Sequence, residues 1–257
     1  MLRLNNINKV FNAGTVDENR LFSDFSLAVE DGEFVAIVGS NGSGKTTLLN
    51  MVCGTLRPDS GTVLFNGTDV SKMPEYKRAK RIGRVLQDPK MGTCASLTIR
   101  ENLALADNKN RRYGFGSAVS RSREDYYRGL LEKCGMGLEN RMGVTAGSLS
   151  GGQRQALALV IATMADIDLL ILDEHTAALD PKSSETLMEI TDRVVTEKKL
   201  TTLMVTHNLR FAVEYGTRLV MMHGGSAVMD IGGEEKQRLH VEDILGKFNE
   251  ISIECGN

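Results

Sequence analysis

The nine residues from Gly39 to Thr47 limit the possible folds of this chain more than any other segment. Their sequence, GSNGSGKTT, fits the pattern GxxxxGK[ST] and lies between the apolar run FVAIVG and the helical pattern KTTLLNMVCGTL. Glycines at these positions let backbone N–H groups surround a phosphate without Cβ clashes, provided that a strand leads into the loop and a helix leaves it. The segment therefore predicts an α/β domain with a phosphate-binding loop, termed the P-loop (residues 39–47).

The P-loop predicts a site for ATP and Mg²⁺. The Lys45 ammonium would reach the β- and γ-phosphates and take part in catalysis, and the Thr46 hydroxyl would coordinate Mg²⁺. The other positions would contact phosphate mainly through backbone N–H groups. A glycine-rich turn that merely precedes a helix is the alternative interpretation. The candidate nucleotide contacts are Gly39, Ser40, Asn41, Gly42, Ser43, Gly44, Lys45, Thr46 and Thr47.

A second group of candidate residues follows the apolar run LLIL, which is typical of a buried strand. Asp173 would end this strand and bind Mg²⁺, as a Walker B aspartate does, and Glu174 would be the general base that polarises the attacking water. An acidic pair at a strand end is more often a helix cap or a solvated turn. The P-loop favours the functional interpretation, because Mg-ATP needs a carboxylate partner.

The strand-like run LTTLMVTH ends in His207. Because ligands of parallel sheets bind outside the carboxyl ends of the strands, we expect His207 near the γ-phosphate, as a catalytic residue. A histidine at a strand end would be interpreted as structural if the P-loop and Asp173 were not expected at the same edge of the sheet. We interpret His175, His223 and His240 in that way.

The order of strand and helix patterns predicts a single domain over residues 1–257. The first ninety residues indicate strands with one helix, and helices alternate with strands after Ser150. Between them, TIRENLALA and REDYYRGLLEKCGM have helical spacing, with a polar loop at 108–117. We therefore expect a P-loop NTPase core with a mostly parallel sheet and an N-terminal antiparallel β subdomain (1–87 and 158–257), and an inserted helical subdomain (88–157).

The composition argues against several classes of partner. Charged residues make up 25% of the 257, with a formal net charge of -2, so there is no basic footprint for nucleic acid. No apolar stretch of the sequence is long enough to cross a bilayer. The cysteines have no CxxC spacing, and we interpret them as buried free thiols in a reducing compartment. They are Cys53, Cys94, Cys134 and Cys255.

The segment SLSGGQRQALAL is a second glycine-containing helix start in a chain that already has a P-loop. Ser150 and Gln153 have the spacing of a capping box, which by itself explains a helix start. A capping box does not need Gly151 and Gly152, and glycine weakens a helix by about 0.8–1.0 kcal/mol relative to alanine. The two glycines therefore indicate that something approaches the backbone closely.

Together these motifs resemble those of the ATP-binding subunits of ABC transporters. GSNGSGKT, VLQDP, LSGGQ, LLILDE, ALDP and VTH occur in the order of that family. The resemblance implies a head-to-tail dimer of two copies that ATP holds closed. In that dimer the LSGGQ loop (residues 149–153) of one copy closes on the γ-phosphate bound by its partner's P-loop, so that Ser150, Gly151, Gly152 and Gln153 contact nucleotide.

The same resemblance implies roles for three further residues. Gln87 would sense the γ-phosphate and Mg²⁺ at the hinge to the helical insert. Asp180 would contact the opposite subunit beside the nucleotide. Phe11 lies where the family places an aromatic ring against adenine, with core packing as the alternative.

The segments around Asp173 and His207 and the C-terminal tail look most like the ATPases of bacterial importers labelled tryptophan/tyrosine type. This resemblance implies a peripheral protein at the cytoplasmic face of a bacterial cell membrane. Its partners would be a permease that contacts residues 88–157 and, indirectly, a solute-binding protein, with no nucleic acid. We expect import of a small nutrient such as an amino acid. The alternatives are an export or lipid-handling complex and a soluble ABC-type ATPase that is not coupled to transport.

Overall fold

The computed structural model describes residues 1–109 and 119–254. The strands in these ranges are β1 (Leu2–Phe11), β2 (Asn19–Val29), β3 (Phe34–Gly39), β4 (Ser60–Phe65), β5 (Thr68–Asp69), β6 (Ile82–Val85), β7 (Leu169–Asp173), β8 (Thr201–Val205), β9 (Arg218–His223) and β10 (Ser226–Gly232). The helices are α1 (Lys45–Cys53), α2 (Glu75–Arg78), α3 (Ile99–Asp107), α4 (Glu124–Glu132), α5 (Gly151–Met164), α6 (Pro181–Lys198), α7 (Leu209–Glu214), α8 (Gly233–Gln237) and α9 (Val241–Glu254). Within the described ranges, no helix combines the length and the apolar character that crossing a membrane requires.

The chain divides into two compact units, and residues 1–74 with the chain from Thr201 onward form the first. Its N-terminal part is an antiparallel sheet with the strand order β2-β1-β4-β5. Leu2 in β1 pairs with Val29 on one side and with Phe65 on the other. All three side chains are buried, so one face of this sheet packs into a core.

Strand β3 lies at the centre of the other strand group in the first unit. All six of its residues are buried, as the run FVAIVG predicts. Strands β8 and β9 both pair with it in parallel, and β10 pairs with β9 in antiparallel. Parallel strands end at a common edge, so the P-loop after β3 shares its edge with the residues that follow β8 and β9.

The second unit is Glu75–Leu200 and contains β6, β7 and helices α2 to α6. Strands β6 and β7 pair in parallel, with Ile82 opposite Leu169. At their start, Arg81 donates hydrogen bonds of 2.7 and 2.5 Å to the two carboxylate oxygens of Asp168. This two-point ion pair fixes the register in which β6 and β7 begin.

The antiparallel N-terminal sheet and the mostly parallel pairing of the buried strands confirm the predicted architecture. The run RIGRVLQDP predicts a strand that ends at Gln87, but β6 ends two residues earlier, at Val85. The carbonyl of Leu86 accepts a side-chain hydrogen bond from Gln155. The subdomain boundaries at 88 and 157 stay predictions, and the second falls inside α5.

The cysteines follow the prediction in part. Cys53 and Cys134 are buried and form no disulfide among the described residues, and burial raises the pKa of the Cys134 thiol to about 11. Cys94 is also free but exposed, because it lies in the irregular segment between β6 and α3, so the prediction of a buried thiol is wrong there. Cys255 and residues 110–117 of the predicted polar loop lie outside the described residues.

Candidate active site

The P-loop has the strand–loop–helix context that its sequence predicts. Strand β3 ends at Gly39, and α1 begins at Lys45 with Gly44 at the N-cap in a left-handed conformation. A Cβ atom on Gly39 would lie only 2.2 Å from the carbonyl oxygen of Met222 in β9. Only glycine allows this approach, so β9 fixes the path on which the chain enters the loop.

The polar groups of the P-loop fit a phosphate ligand. Lys45 is buried, and its Nζ donates to the carbonyl oxygens of Gly39 at 2.8 Å and Ser40 at 2.9 Å. The Ser43 hydroxyl is buried and has no hydrogen-bond partner among the described residues, so a phosphate oxygen there would remove a desolvation cost. Gly44 has no side chain to cap α1, which leaves the positive end of the helix dipole to an anion.

Two histidines lie at or just after the ends of β8 and β9, at the same sheet edge as the P-loop. His207 is exposed between β8 and α7, and Thr206 before it donates to the carbonyl of Ile37 in β3. His223 ends β9, and its Nδ1 lies 3.2 Å from the Ser40 Oγ. The catalytic role of His207 stays a prediction. The contact of His223 with Ser40 is not predicted from the sequence, although His223, like His207, ends a strand-like run.

Asp173 ends the buried strand β7, as predicted. Its Oδ2 accepts a hydrogen bond of 2.7 Å from Arg84 in β6, and the two side chains are only 11% and 18% exposed. Pairing offsets the desolvation cost of a carboxylate at this depth. The sequence does not predict Arg84 as a neighbour of the site, since nothing near DLLILDEH shows which strand lies beside it.

Glu174 has a left-handed backbone (φ 49°), which is uncommon for a residue other than glycine. Such a conformation costs about 1–3 kcal/mol and persists only where the surroundings hold it. Here Asp173 before it is held by Arg84. His175 after it is buried, with its Nε2 3.3 Å from the Thr191 hydroxyl. Burial lowers the pKa of His175 to about 4, so it is neutral at pH 7 and fits the predicted structural role.

Gln87 is exposed in the segment between β6 and α3, and two neighbouring residues of α5 hold this segment. Gln155 donates from Nε2 to the carbonyl of Leu86 at 2.7 Å. Arg154 donates from Nε to the Thr93 hydroxyl at 2.6 Å. Residues 86–93, termed the Gln87 segment, are thus attached at both ends to the helix that begins in the LSGGQ loop.

The LSGGQ loop starts α5 with the predicted capping box. The Ser150 hydroxyl accepts from the Gln153 N–H, and the Gln153 Oε1 accepts from the Ser150 N–H, each at 3.3 Å. The Gln153 side chain is further held by Arg141, which donates to the same Oε1 at 3.1 Å. The capping-box interpretation is therefore correct for the local structure, and Ser150 and Gly151 remain exposed.

The two glycines of the loop have a cause within the same chain. A Cβ atom on Gly151 would lie 3.2 Å from Leu179, and one on Gly152 would lie 3.1 Å from Ser183. The close approach that the glycines predict therefore comes from Leu179, just before α6, and from Ser183 in its first turn, and a partner is not needed to explain it. Asp180 caps α6 by accepting from the Ser183 N–H at 3.1 Å, and hydrogen bonding to Ser183 lowers the pKa of its carboxyl.

Phe11 ends β1 and is half-buried. The Lys9 Nζ lies 5.5 Å from the centre of its ring and also pairs with Asp59 at 2.6 Å. The partial exposure disfavours the core-packing alternative, and contact with adenine stays a prediction.

Comparison with known proteins decides the family. A family model described as ABC transporter matches residues 22–177, which is more than half of the chain. The chain belongs to the ABC transporter family. It is 46% identical to the tyrosine transport ATP-binding protein of Clostridioides difficile (strain R20291), over 96% of this chain and 98% of that protein. It is 34% identical to the thiamine import ATP-binding protein ThiQ of Escherichia coli (strain K12), over 78% of this chain and 82% of that protein.

Solved ABC cassettes have the same fold. The dimeric structure of a post-hydrolysis state of the cassette MJ0796 bound to ADP and Pi matches with a TM-score of 0.76 and 26% identity, covering 90% of this chain and 98% of that one. The ADP conformation of MJ1267, a cassette of an ABC transporter, matches with a TM-score of 0.79 and 25% identity, covering 100% and 99%. The predicted family and the P-loop NTPase fold are confirmed.

As an ATP-binding subunit of an ABC transporter, the protein is an ATPase that uses ATP with Mg²⁺. Its residues fit these cofactors. Lys45, the Ser43 hydroxyl and the start of α1 suit a triphosphate. The Thr46 hydroxyl and the Asp173 carboxylate are oxygen ligands of the kind that Mg²⁺ prefers. The individual roles of the site residues stay predictions.

Proposed function

We propose that this ABC ATPase drives the import of an amino acid across a bacterial cell membrane, from the cytoplasmic face. The observation that carries the proposal is the 46% identity, over nearly the whole of both chains, to a protein named for tyrosine transport. A thiamine import ATPase is among the other relatives, which favours import of a small nutrient. A solute-binding protein would deliver the solute, and nucleic acid has no part in the cycle.

In the proposed reaction, each site residue has one task. Lys45 neutralises charge on the β- and γ-phosphates, and Thr46 and Asp173 supply oxygen ligands to Mg²⁺. Glu174 accepts the proton of the attacking water, and His207 and Gln87 contact the γ-phosphate. The buried Lys45 ammonium and the buried Asp173 carboxylate support these assignments. Lys45 is held by the carbonyl of Gly39, and Asp173 is held by Arg84.

The proposed working form is a head-to-tail dimer. A similar solved cassette bound to ADP and Pi is dimeric. Ser150 and Gly151 are exposed at the positive end of α5, which suits an anion on a facing surface. Asp180 is also exposed, next to the residues that pack against these glycines. These features support closure of the LSGGQ loop on the partner's ATP.

A groove in the second unit is the proposed contact for the permease. It has a volume of about 560 Å³, and its lining includes Met91, Cys94, Leu105, Lys109 and Ile161. Met91 is 72% exposed and Leu105 is 54% exposed. Exposed apolar side chains around a concave surface favour a protein partner, and a helix on the cytoplasmic side of a permease has the required shape. The groove includes part of the Gln87 segment, so its occupant would touch the residues beside Gln87.

The experiment is purification of the tagged chain from native membranes, followed by identification of the proteins that remain bound. We expect a permease of an importer. Reconstituted with that permease and its solute-binding protein, the ATPase should be stimulated by tyrosine or a related amino acid, and Glu174→Gln should abolish the stimulation. Recovery with an export or lipid-handling complex, or from the soluble fraction with no membrane subunit, would overturn the proposal.

A further inference from the structure

His223 makes a contact with the P-loop that the roles proposed above do not use. Its Nδ1 lies 3.2 Å from the Oγ of Ser40, although the two residues are 183 positions apart in the chain. Both side chains are half-buried, so the hydrogen bond is only partly exposed to competition from water. Such a contact is worth more than a fully solvated one.

Backbone packing fixes the position of His223 from both sides. On one side Met222 pairs with Gly39, with its carbonyl oxygen where a Cβ of Gly39 would be. On the other side a Cβ on Gly225 would lie 1.6 Å from the carbonyl oxygen of Leu21, so the turn after His223 is pressed against β2. The backbone on both sides of His223 therefore has little freedom to move, and this limits where the imidazole can lie.

Ser40 links His223 to the cation of the P-loop. The Ser40 hydroxyl meets the imidazole, while the Ser40 carbonyl accepts from the Lys45 Nζ at 2.9 Å. If Ser40 rotates away, its carbonyl leaves the ammonium, and the loop loses one of the points that define its shape. The contact between His223 and Ser40 thus helps to hold the Lys45 ammonium, which would face the phosphates.

We propose that His223 is a positioning residue for ATP binding, which holds Ser40 and so keeps the P-loop in the shape that receives the triphosphate. The proposal rests on the role proposed for the P-loop residues. A preformed loop pays less ordering entropy when the ligand binds, so the contact acts on affinity and leaves the chemical step unchanged. Either tautomer of the imidazole serves, because the Ser40 hydroxyl can donate or accept.

The test compares replacements that keep or remove a polar atom at the Nδ1 position. His223→Ala should raise the Kd for ATP about three- to tenfold, the fold-change expected for loss of one net hydrogen bond. Turnover at saturating ATP should stay close to that of the unchanged protein. His223→Asn, whose amide lies near the Nδ1 position, should restore affinity, whereas His223→Gln, whose amide lies near the Nε2 position, should not.

Ser40→Ala removes the same hydrogen bond from the other side, and it keeps the test open if His223→Ala does not fold. It should raise the Kd for ATP by a similar factor, and the double variant should bind ATP no more weakly than either single one. His240→Ala, which removes an exposed histidine elsewhere in the first unit, is the control and should bind ATP normally.

The measurement is an equilibrium titration with ATP, together with KM, kcat and the Tm of the nucleotide-free protein. Unchanged affinity of both single variants, equal rescue by asparagine and glutamine, or additive losses in the double variant would overturn the proposal. A lower Tm with unchanged Kd would show that the contact only stabilises the fold. Lys45→Ala tests the P-loop assignment separately from the role of His223. If Lys45→Ala leaves the affinity for ATP unchanged, the P-loop assignment itself is wrong.

Discussion

Ser150→Arg distinguishes a loop that only starts a helix from one that closes on a partner's nucleotide. Within one chain, the change removes the hydroxyl that accepts from the Gln153 N–H at 3.3 Å. Loss of an N-cap costs about 1 kcal/mol. For a domain of this size, that lowers the Tm by roughly 2–4 °C. Ser150 is exposed, so the arginine side chain can extend into solvent without disturbing the core.

Ser150→Ala is the matched control, because it removes the same cap without adding bulk or charge. We expect both variants to show the same small loss of Tm and to bind ATP normally through Lys45. The arginine variant should lose turnover, since a long cationic side chain would occupy the space in which the facing subunit closes. The alanine variant should retain much more activity. Normal turnover per folded molecule in Ser150→Arg would refute the shared site.

Mixing the variants sharpens the result. In a head-to-tail heterodimer of Ser150→Arg and Lys45→Ala chains, both lesions fall in the same composite site and the other site is intact. Partial recovery of activity on mixing, with ATP-dependent heterodimer formation measured by light scattering, is the expected result. Heterodimers that form fully on ATP addition but show no activity above the two separate variants would contradict independent composite sites.

Three further results are expected. Glu174→Gln should keep ATP binding and slow hydrolysis by about 10²–10⁴-fold, the usual effect of removing a general base. Light scattering should then show an ATP-bound dimer. A monomer in Mg-free ATP would count against closure of the LSGGQ loop on the partner's ATP. Lys45→Ala should weaken ATP binding in a nucleotide titration, because a buried ammonium beside the phosphates is lost, and an unchanged titration with normal turnover would mean that the P-loop is misassigned. Photo-cross-linkers are placed at Met91, at Leu105 and, in separate variants, after residue 233. Those at Met91 and Leu105 should capture the permease in native membranes, whereas capture only by positions after residue 233 would place the contact in the C-terminal tail.

The sequence predicted best what is local along the chain. A strand, a glycine loop and a helix are adjacent in sequence, so the sequence alone predicts the P-loop. The capping box of Ser150 likewise depends on residues three positions apart. The neighbours of the site could not be predicted in this way. Arg84 meets Asp173 only because β6 pairs with β7, and His223 meets Ser40 only because β9 pairs with β3.

The glycines at 151 and 152 show a second limit of sequence reasoning. A glycine pair indicates that something lies close to the backbone, but the pattern does not say what. Here Leu179 and Ser183 of the same chain lie close to it. The glycines correctly predict a close neighbour, and a partner chain is not needed to supply it. A glycine pattern shows only that some group comes close to the backbone, and it does not show which group that is.

The attachment of the Gln87 segment to α5 has a mechanical consequence. Its two anchors, Arg154 and Gln155, are consecutive residues in the first turns of the helix, and they grip the segment near Thr93 and at Leu86. The segment cannot move away from the helix unless one of those hydrogen bonds breaks. A displacement of Leu86 or Thr93 is therefore transmitted to the start of α5 for as long as these two hydrogen bonds hold.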